Sequence, residues 1–292
     1  MSKQDRTAII AIPIIVLFAA FIAWAGSQGS YVIFGIPLFA LCVALAFIIQ
    51  WVAFIPAYIK QTEKLYDLVG SITYLSLIWI AVLASPVVDA RAILLLVIVS
   101  VWAIRLGSFL FRRVRAAGED RRFRDIKKSF SRFLMTWTLQ GLWVSLTLAA
   151  ALAAITATGK VALGGFALIG FIVWIVGFGF EVIADSQKSE FQADPQNADK
   201  FINVGLWSWS RHPNYFGEIV LWIGVAIIAI PVLSGWQWVT MISPLFVVLL
   251  LTRVSGVPML ESRADEKWGW QAGYESYKTN TSILIPRPPG KP

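Results

Sequence analysis

Gly205-Leu-Trp-Ser-Trp-Ser-Arg-His-Pro-Asn-Tyr-Phe-Gly-Glu218 runs without a break into the apolar stretch Ile219 to Leu233, and this junction decides how the chain is read. The apolar stretch is long enough to enter a bilayer, and the chain's only histidine, His212, stands just before it between Arg211 and Pro213. Pro213 suits the first turn of a helix, where its missing N–H costs nothing, so the polar cluster is expected at a helix N-terminus, which favours anions. Arg211, His212, Asn214 and Tyr215 together offer donors, acceptors and a flat stacking surface, as a polar organic cofactor requires. The plainer alternative is a juxtamembrane anchor, with Arg211 on lipid phosphate and Trp207 and Trp209 in the interfacial belt.

Outward from this junction the whole chain has the same character. Of 292 residues 58% are hydrophobic and 14% charged, and the mean hydropathy is +0.70. Such a composition excludes an ordinary soluble domain and indicates a polytopic membrane protein. With one cysteine, Cys42, and one histidine, an intrachain disulfide, a Cys/His zinc site and a histidine-rich haem or di-iron site are excluded. The net charge of +8 reports topology before it reports nucleic acid. No cleavable signal peptide is expected, because the apolar run from Thr7 is followed by another span.

Eight stretches approach the roughly 20 apolar residues that a bilayer core demands. They are 7–26, 31–59, 68–87, 91–111, 133–155, 162–184, 217–233 and 236–255. The second carries Gln50 and Pro56 and is expected to tilt or kink; the seventh is short and can borrow length from Asn214-Tyr-Phe. Alternate gaps between these spans hold 22 lysines and arginines on one side and only Arg91 and Lys160 on the other, with Arg105 inside a span. The positive-inside rule places both termini, every long loop and every polar motif on the cytoplasmic face. A transporter more often carries broken spans at the midplane and loops on both sides.

Four polar constellations follow from that topology. Lys60-Gln-Thr-Glu-Lys-Leu-Tyr-Asp67 precedes the third span and sets Glu63, Tyr66 and Asp67 within one or two helical turns. A carboxylic acid half-submerged there is desolvated and can donate a proton, though a solvated Glu–Lys pair has the same pattern. Arg105, an intramembrane arginine, leads into Arg112-Arg113-x-Arg115 and Glu119-Asp-Arg-Arg-Phe123. These arginines suit phosphates of a nucleotide, or else anionic lipid. Glu181, Asp185 and Lys188 line one face at the end of the sixth span. The C-terminal set is Arg253, Glu261, Tyr274, Tyr277 and Ile285-Pro-Arg-Pro-Pro. No Gly-x-Gly-x-x-Gly or Walker sequence occurs, so any nucleotide is held by a non-Rossmann arrangement.

Arg-His-Pro-Asn-Tyr-Phe-Gly-Glu, with Tyr-Asp-Leu-x-Gly-Ser, Ala-Asp-x-Gln-Lys and the closing Glu…Tyr-x-x-Tyr…Pro, resembles the bacterial domain-of-unknown-function 1295 family. That family is related to the steroid 5-alpha-reductases and more remotely to sterol C14-reductases and isoprenylcysteine carboxyl methyltransferases. The resemblance divides the chain into two N-terminal helices over 1–60, outside it, and an enzyme domain over 61–292. It implies an NADPH-dependent reductase of a conjugated carbon–carbon double bond in a lipid. Asn214, Gly217 and Glu218 correspond to the step that helps hold NADPH, and Arg112, Arg113, Arg115, Asp185 and Arg253 fall at cofactor positions. The acid that polarises a substrate carbonyl corresponds to Glu63 or Asp67. The tyrosine that partners it corresponds to Trp102, which has no hydroxyl, so Tyr66 or Tyr74 takes that role or the substrate is not a 3-oxo steroid.

The expectation is therefore an all-α membrane bundle of about eight spans in a bacterial inner membrane, both termini and the active site facing the cytoplasm. NADPH is expected on Arg105, Arg112, Arg113, Arg115, Asp185, Lys188, Arg211, His212, Asn214, Tyr215, Glu218, Arg253 and Glu261, with Glu63, Tyr66 and Asp67 catalytic. Its partners are membrane lipids and an apolar substrate entering from the bilayer, with no metal and no nucleic acid. The rival reaction is methyl transfer from S-adenosylmethionine, which lacks phosphate and needs fewer of the nine basic residues between 112 and 132; a third class is a non-catalytic membrane partner.

Overall fold

The computed structural model describes residues 2–117 and 123–288, and they are nearly all helical. Among them, eight helical stretches are long and apolar enough to cross a membrane, as the sequence leads one to expect. The described chain clusters into two compact units: residues 1–167 with 228–243, and residues 168–227 with 244–292.

The first unit holds α1 (Lys3–Gly26), α2 (Leu38–Ile59), α3 (Tyr66–Leu83), α4 (Ala90–Ala117) and α5 (Phe130–Thr156). Its axis is α5, whose run from Val144 to Thr156 is buried on every side, as befits a helix apolar all round. The small side chains Ala149-Ala-Ala151 and Ala153-Ala154 let α1 and α2 pack close against it. Polar side chains inside the unit pair with one another: Gln50 Nε2 donates to Thr73 Oγ1 at 2.8 Å and Trp51 Nε1 to Thr138 Oγ1 at 3.1 Å. The two exceptions to the charge bias are both spent on backbone carbonyls, at helix ends (Ile228, Ile155) or in the loop before residue 165 (Val161, Ala162). Arg91 donates to Ile228, Val161 and Ala162, and Lys160 to Ile155 at 2.8 Å, where the helix dipole favours a cation.

Two boundaries differ from the sequence reading. The stretch 31–59 is not one span: Val32–Ile33 (β1) and Ile36–Pro37 (β2) form a small antiparallel hairpin before α2. Its turn residues Phe34 and Gly35 have φ of 51° and 79°, the left-handed pair that a tight hairpin turn demands. The stretch 236–255 is likewise broken. A 3₁₀ segment over Gly235–Met241, α8 (Ile242–Leu249) and a π-helical turn over Leu250–Val254 share its length, and α9 (Gly256–Trp268) follows.

The second unit holds α6 (Gly165–Ala193, from residue 168 onward), α7 (Pro213–Ala229, up to residue 227), α9 and α10 (Ala272–Asn280). Glycines seven apart let α6 and α7 touch backbone to backbone. A Cβ on Gly177 would lie 2.3 Å from Leu221 N, one on Gly217 2.5 Å from Glu181 N, and one on Gly224 2.6 Å from Gly170 O. Small residues at such crossings are how membrane helices gain packing without a hydrophobic driving force.

Candidate functional site

The close α6–α7 crossing sets the end of α6 beside the start of α7. Asn214 Nδ2 donates to Asp185 Oδ1 at 3.1 Å, with Asp185 buried. Pro213 is the first residue of α7, the position that its fixed φ favours.

The loop before α7 is held from two directions. On the α6 side, Leu206 N donates to Gln187 Oε1 at 2.9 Å and Trp207 Nε1 to the Ala184 carbonyl at 2.9 Å. Gly205, at φ +59°, is needed there: a Cβ would fall 2.5 Å from the Gln187 amide. From the other direction comes the C-terminal segment. Arg211 N donates to the Ser282 carbonyl at 2.8 Å, Ser210 Oγ to that of Leu284 at 2.9 Å, and Arg287 N to that of Trp209 at 3.0 Å. Tyr277 OH donates to the Trp207 carbonyl at 2.6 Å. Ser210, fully buried, also accepts from His212 N at 3.1 Å.

Arg211 and His212 thus emerge from a fixed backbone and meet one carboxylate. Arg211 Nη1 lies 2.7 Å from Glu261 Oε2 and His212 Nε2 2.7 Å from Glu261 Oε1. The two basic side chains are more than nine-tenths buried, with 8% and 5% of their surface exposed. Burial pushes the His212 imidazolium well below the ordinary range; Glu261 partly opposes this, and Lys188 and Arg211 reinforce it. A neutral imidazole facing a carboxylate carries its proton on Nε2, which leaves Nδ1 as a bare acceptor. That Nδ1 and Arg211 Nε are buried without a hydrogen-bond partner among the described residues. The Tyr215 ring stacks on His212 with centroids 5.6 Å apart; Gly256 makes room, since a Cβ there would lie 2.7 Å from Tyr215 Cε2.

Arg211, His212, Glu261 and Lys188 line a cavity of about 330 Å³ in this unit. Its walls are strongly aromatic: the Phe201 ring centroid lies 5.3 Å from those of both Tyr274 and Tyr277 and 6.3 Å from that of Trp268. Lys188 Nζ sits 4.7 Å from the Trp207 ring centroid, a cation–π contact. Lys200, Arg263 and Lys267 add three more cations, so five cations face one carboxylate. Burial raises both the Tyr274 and the Tyr277 hydroxyls above the usual phenol range, Asp265 adding to the effect at Tyr274; both stay protonated donors.

The expected site residues divide accordingly. Asp185, Asn214, Tyr215, Glu218 and Arg253 belong to the same unit but do not line the cavity, and Arg253 is exposed on the π-helical turn. Glu63, Tyr66, Asp67, Arg105, Arg112, Arg113 and Arg115 belong to the first unit. There the buried Glu63 carboxylate accepts from Lys127 Nζ at 2.6 Å. Tyr66 OH donates to the Thr136 carbonyl at 3.0 Å and its ring packs on Phe123 and Trp137. Asp67 lies in the first turn of α3. Tyr74 and Trp102 are buried edge to face, centroids 5.0 Å apart. Arg105 lies over the Phe109 ring, and Arg112 Nε donates to the Ser108 carbonyl at 3.1 Å. Arg115 is exposed near the end of α4; the Arg113 side chain and all of Glu119 to Arg122 lie outside the described residues.

Sequence reasoning missed Lys200, Phe201, Arg263, Lys267 and Trp268. The available signal was a pair of Lys–aromatic dipeptides, Lys200-Phe201 and Lys267-Trp268, flanking the motif region.

Comparison with known proteins agrees with the motifs. Residues 53–281 match the family model described as "Protein of unknown function (DUF1295)". The chain is 28% identical over 120 residues to 3-oxo-5-alpha-steroid 4-dehydrogenase 1 of Rattus norvegicus, covering 41% of this chain and 40% of the relative. It is 27% identical over 119 residues to the Mus musculus protein of the same name, covering 41% of each chain. It is 28% identical over 119 residues to steroid 5-alpha-reductase DET2 of Gossypium hirsutum, again over 41% of each. The matched region thus spans about two-fifths of these curated relatives. No solved structure matches the chain significantly.

Proposed function

The chain belongs to the DUF1295 family, and from that premise we propose that it is an integral-membrane, NADPH-dependent reductase of a conjugated carbon–carbon double bond in a lipid or steroid-like substrate. The observation that carries the reading is the Arg211–Glu261–His212 constellation in the wall of an aromatic, cation-rich cavity. An orphaned Arg211 Nε–H and an orphaned His212 Nδ1, both buried, cost free energy unless a ligand answers them. A dinucleotide answers both, with phosphate and ribose oxygens as acceptors and ribose hydroxyls as donors. Five cations against one carboxylate favour a phosphate-bearing cofactor over S-adenosylmethionine.

When bound, NADPH supplies the hydride. The protein's own part is to bind, orient and exclude water. Arg211 and Lys188 hold phosphate, Glu261 keeps Arg211 and His212 in place, and neutral His212 accepts a hydrogen bond and does not act as an acid. The aromatic walls keep the cavity dry and strengthen these contacts. Asn214 fixes an amide or ribose group at the head of α7, with Asp185 orienting its side chain. The carbonyl-polarising role falls to Glu63 or Asp67, the two acids at the head of the third span. Both termini and the polar loops face the cytoplasm, where NADPH is available.

Titrating the detergent-purified protein with NADPH and with S-adenosylmethionine, followed by calorimetry and thermal shift, tests the reading. NADPH at about a hundred times its Kd raises the apparent stability by about 2.7 kcal/mol, and S-adenosylmethionine leaves it unchanged. Stabilisation by S-adenosylmethionine alone would reassign the protein to methyl transfer.

A further inference from the structure

We propose that the cavity of the second unit receives the adenosine end of the dinucleotide, and that Lys200 and Arg263 at its rim recognise the 2′-phosphate that distinguishes NADPH from NADH. The inference rests on the NADPH reading above and goes beyond it by naming which end of the cofactor sits here and which side chains discriminate.

Three observations converge on it. The first is the wall. Phe201, Tyr274, Tyr277 and Trp268 form a contiguous aromatic cluster of tilted and edge-to-face rings, each ring offering an apolar face on which a purine can stack. At about 330 Å³ the cavity lies at the small end of ligand pockets, a size that suits half of a dinucleotide.

The second is the polar demand of the interior. His212 Nδ1 is an unanswered acceptor and Arg211 Nε an unanswered donor, both on side chains more than nine-tenths buried. A ribose phosphate presents a hydroxyl to the first and an oxygen to the second.

The third is how the cations are distributed. Lys267 Nζ donates to the Ala198 carbonyl at 3.2 Å and lies 4.8 Å from the Trp268 ring centroid, and Lys188 lies over Trp207. Arg211 is paired with Glu261. The side chains of Lys200 and Arg263, both exposed cavity-lining residues, make no hydrogen bond or ion pair among the described residues. The carboxylate of Glu261 already serves two partners. Two uncommitted cations at the edge of an aromatic pocket fit a dianionic phosphate on the sugar of a stacked base. On this assignment the α4 arginines Arg112 and Arg115 do not set the preference for the phosphorylated cofactor.

The full-length protein in detergent supplies the test, read by binding and not by turnover. Adenosine 2′,5′-bisphosphate should bind the native protein, displace NADPH competitively and exceed 5′-AMP in affinity by roughly tenfold, the scale of a charge-assisted phosphate contact. The double variant Lys200→Gln/Arg263→Gln should weaken NADPH and the bisphosphate roughly tenfold while leaving NADH and 5′-AMP within about twofold. Both residues are exposed, so the variant should keep its native elution and thermal profile. Arg112→Gln/Arg115→Gln should leave the ratio of NADPH to NADH affinity unchanged. An unchanged ratio in the Lys200/Arg263 variant, a collapsed ratio in the α4 variant, or NADPH binding that the bisphosphate does not displace would each overturn the assignment with the reductase reading intact. A native protein that binds no NADPH would overturn both.

Discussion

Replacing Glu261 with glutamine removes the one negative charge from a cluster of three ionisable side chains and keeps the side-chain volume. In the native protein the carboxylate lies 2.7 Å from Arg211 Nη1 and 2.7 Å from His212 Nε2. At an effective dielectric of about 20, a charge pair at this separation attracts by roughly 6 kcal/mol, most of it offset by the desolvation of both ions. Removing one partner of a buried pair costs about 3–5 kcal/mol, because the other charge is left uncompensated. Glu261 is 19% exposed, so water can reach part of the gap, and the expected cost for Glu261→Gln is about 2–3 kcal/mol. The glutamine oxygen can still accept from His212, but its amide then turns donors toward Arg211, so the loss falls on the arginine.

A double-mutant cycle with Arg211→Gln separates the pair from its surroundings. Equilibrium unfolding in mixed micelles should give a coupling energy of about 1.5–3 kcal/mol, the upper part of the range for neighbours in one charged network. The pH dependence adds a second signature. The folded-state pKa of His212 is depressed, by burial first, so the unfolded chain binds the extra proton more readily. Stability is therefore complete above the ordinary histidine value near 6.5 and falls as pH drops toward the folded-state value. Glu261 opposes that depression, so Glu261→Gln should widen the acid window in which stability is lost. A coupling energy under about 0.5 kcal/mol, with an acid limb identical to the native one, would refute the claim that this carboxylate organises the site.

Three further outcomes follow from the geometry. Gly177→Ala should destabilise the α6–α7 crossing by about 1–3 kcal/mol or prevent accumulation in the membrane, since its Cβ would meet backbone 2.3 Å away; native-like thermal stability would contradict the close approach. Ser210→Ala removes the hydroxyl that bonds His212 N and the Leu284 carbonyl, and should cost about 1–3 kcal/mol and weaken NADPH binding by calorimetry, with Ser210→Thr recovering part of both. Reporter fusions at Lys160 and within 123–129 should report opposite sides of the membrane; the same side for both would sink the assigned orientation.

How much of this was legible depended on whether a feature is local. The spans were, because about 20 apolar residues have few alternatives. Apolarity alone did not separate the hairpin at 32–37 from α2: Val32-Ile-Phe-Gly-Ile-Pro37 is as hydrophobic as a span, and only Gly35 hinted at a turn. The breaks in 236–255 were hidden for the same reason, since 3₁₀ and π turns carry no distinct hydropathy. Arg211, His212 and Asn214 were legible because they cluster in sequence at a helix start. The pairing of Glu63 with Lys127, 64 residues apart, was not; the sequence left Glu63 open between a proton donor and one half of a Glu–Lys pair.

The same limit explains why the cation wall escaped notice. Lys200, Arg263 and Lys267 each sit in a polar stretch where a basic residue is ordinarily a solvated surface charge. Their meaning comes from the aromatic rings that the fold brings beside them: Phe201 against Tyr274 and Tyr277, Lys267 over Trp268. The C-terminal segment completes that arrangement, because the strap over 282–287 fixes the backbone of Trp209 and Arg211 while Tyr277, just before it, bonds the Trp207 carbonyl. One short tail therefore sets both the aromatic wall and the buried Arg211–His212 pair, so disturbing it should alter base stacking and polar recognition together. The residues that line this cavity are spread over about ninety positions from Lys188 to Tyr277, and no local spacing rule joins them.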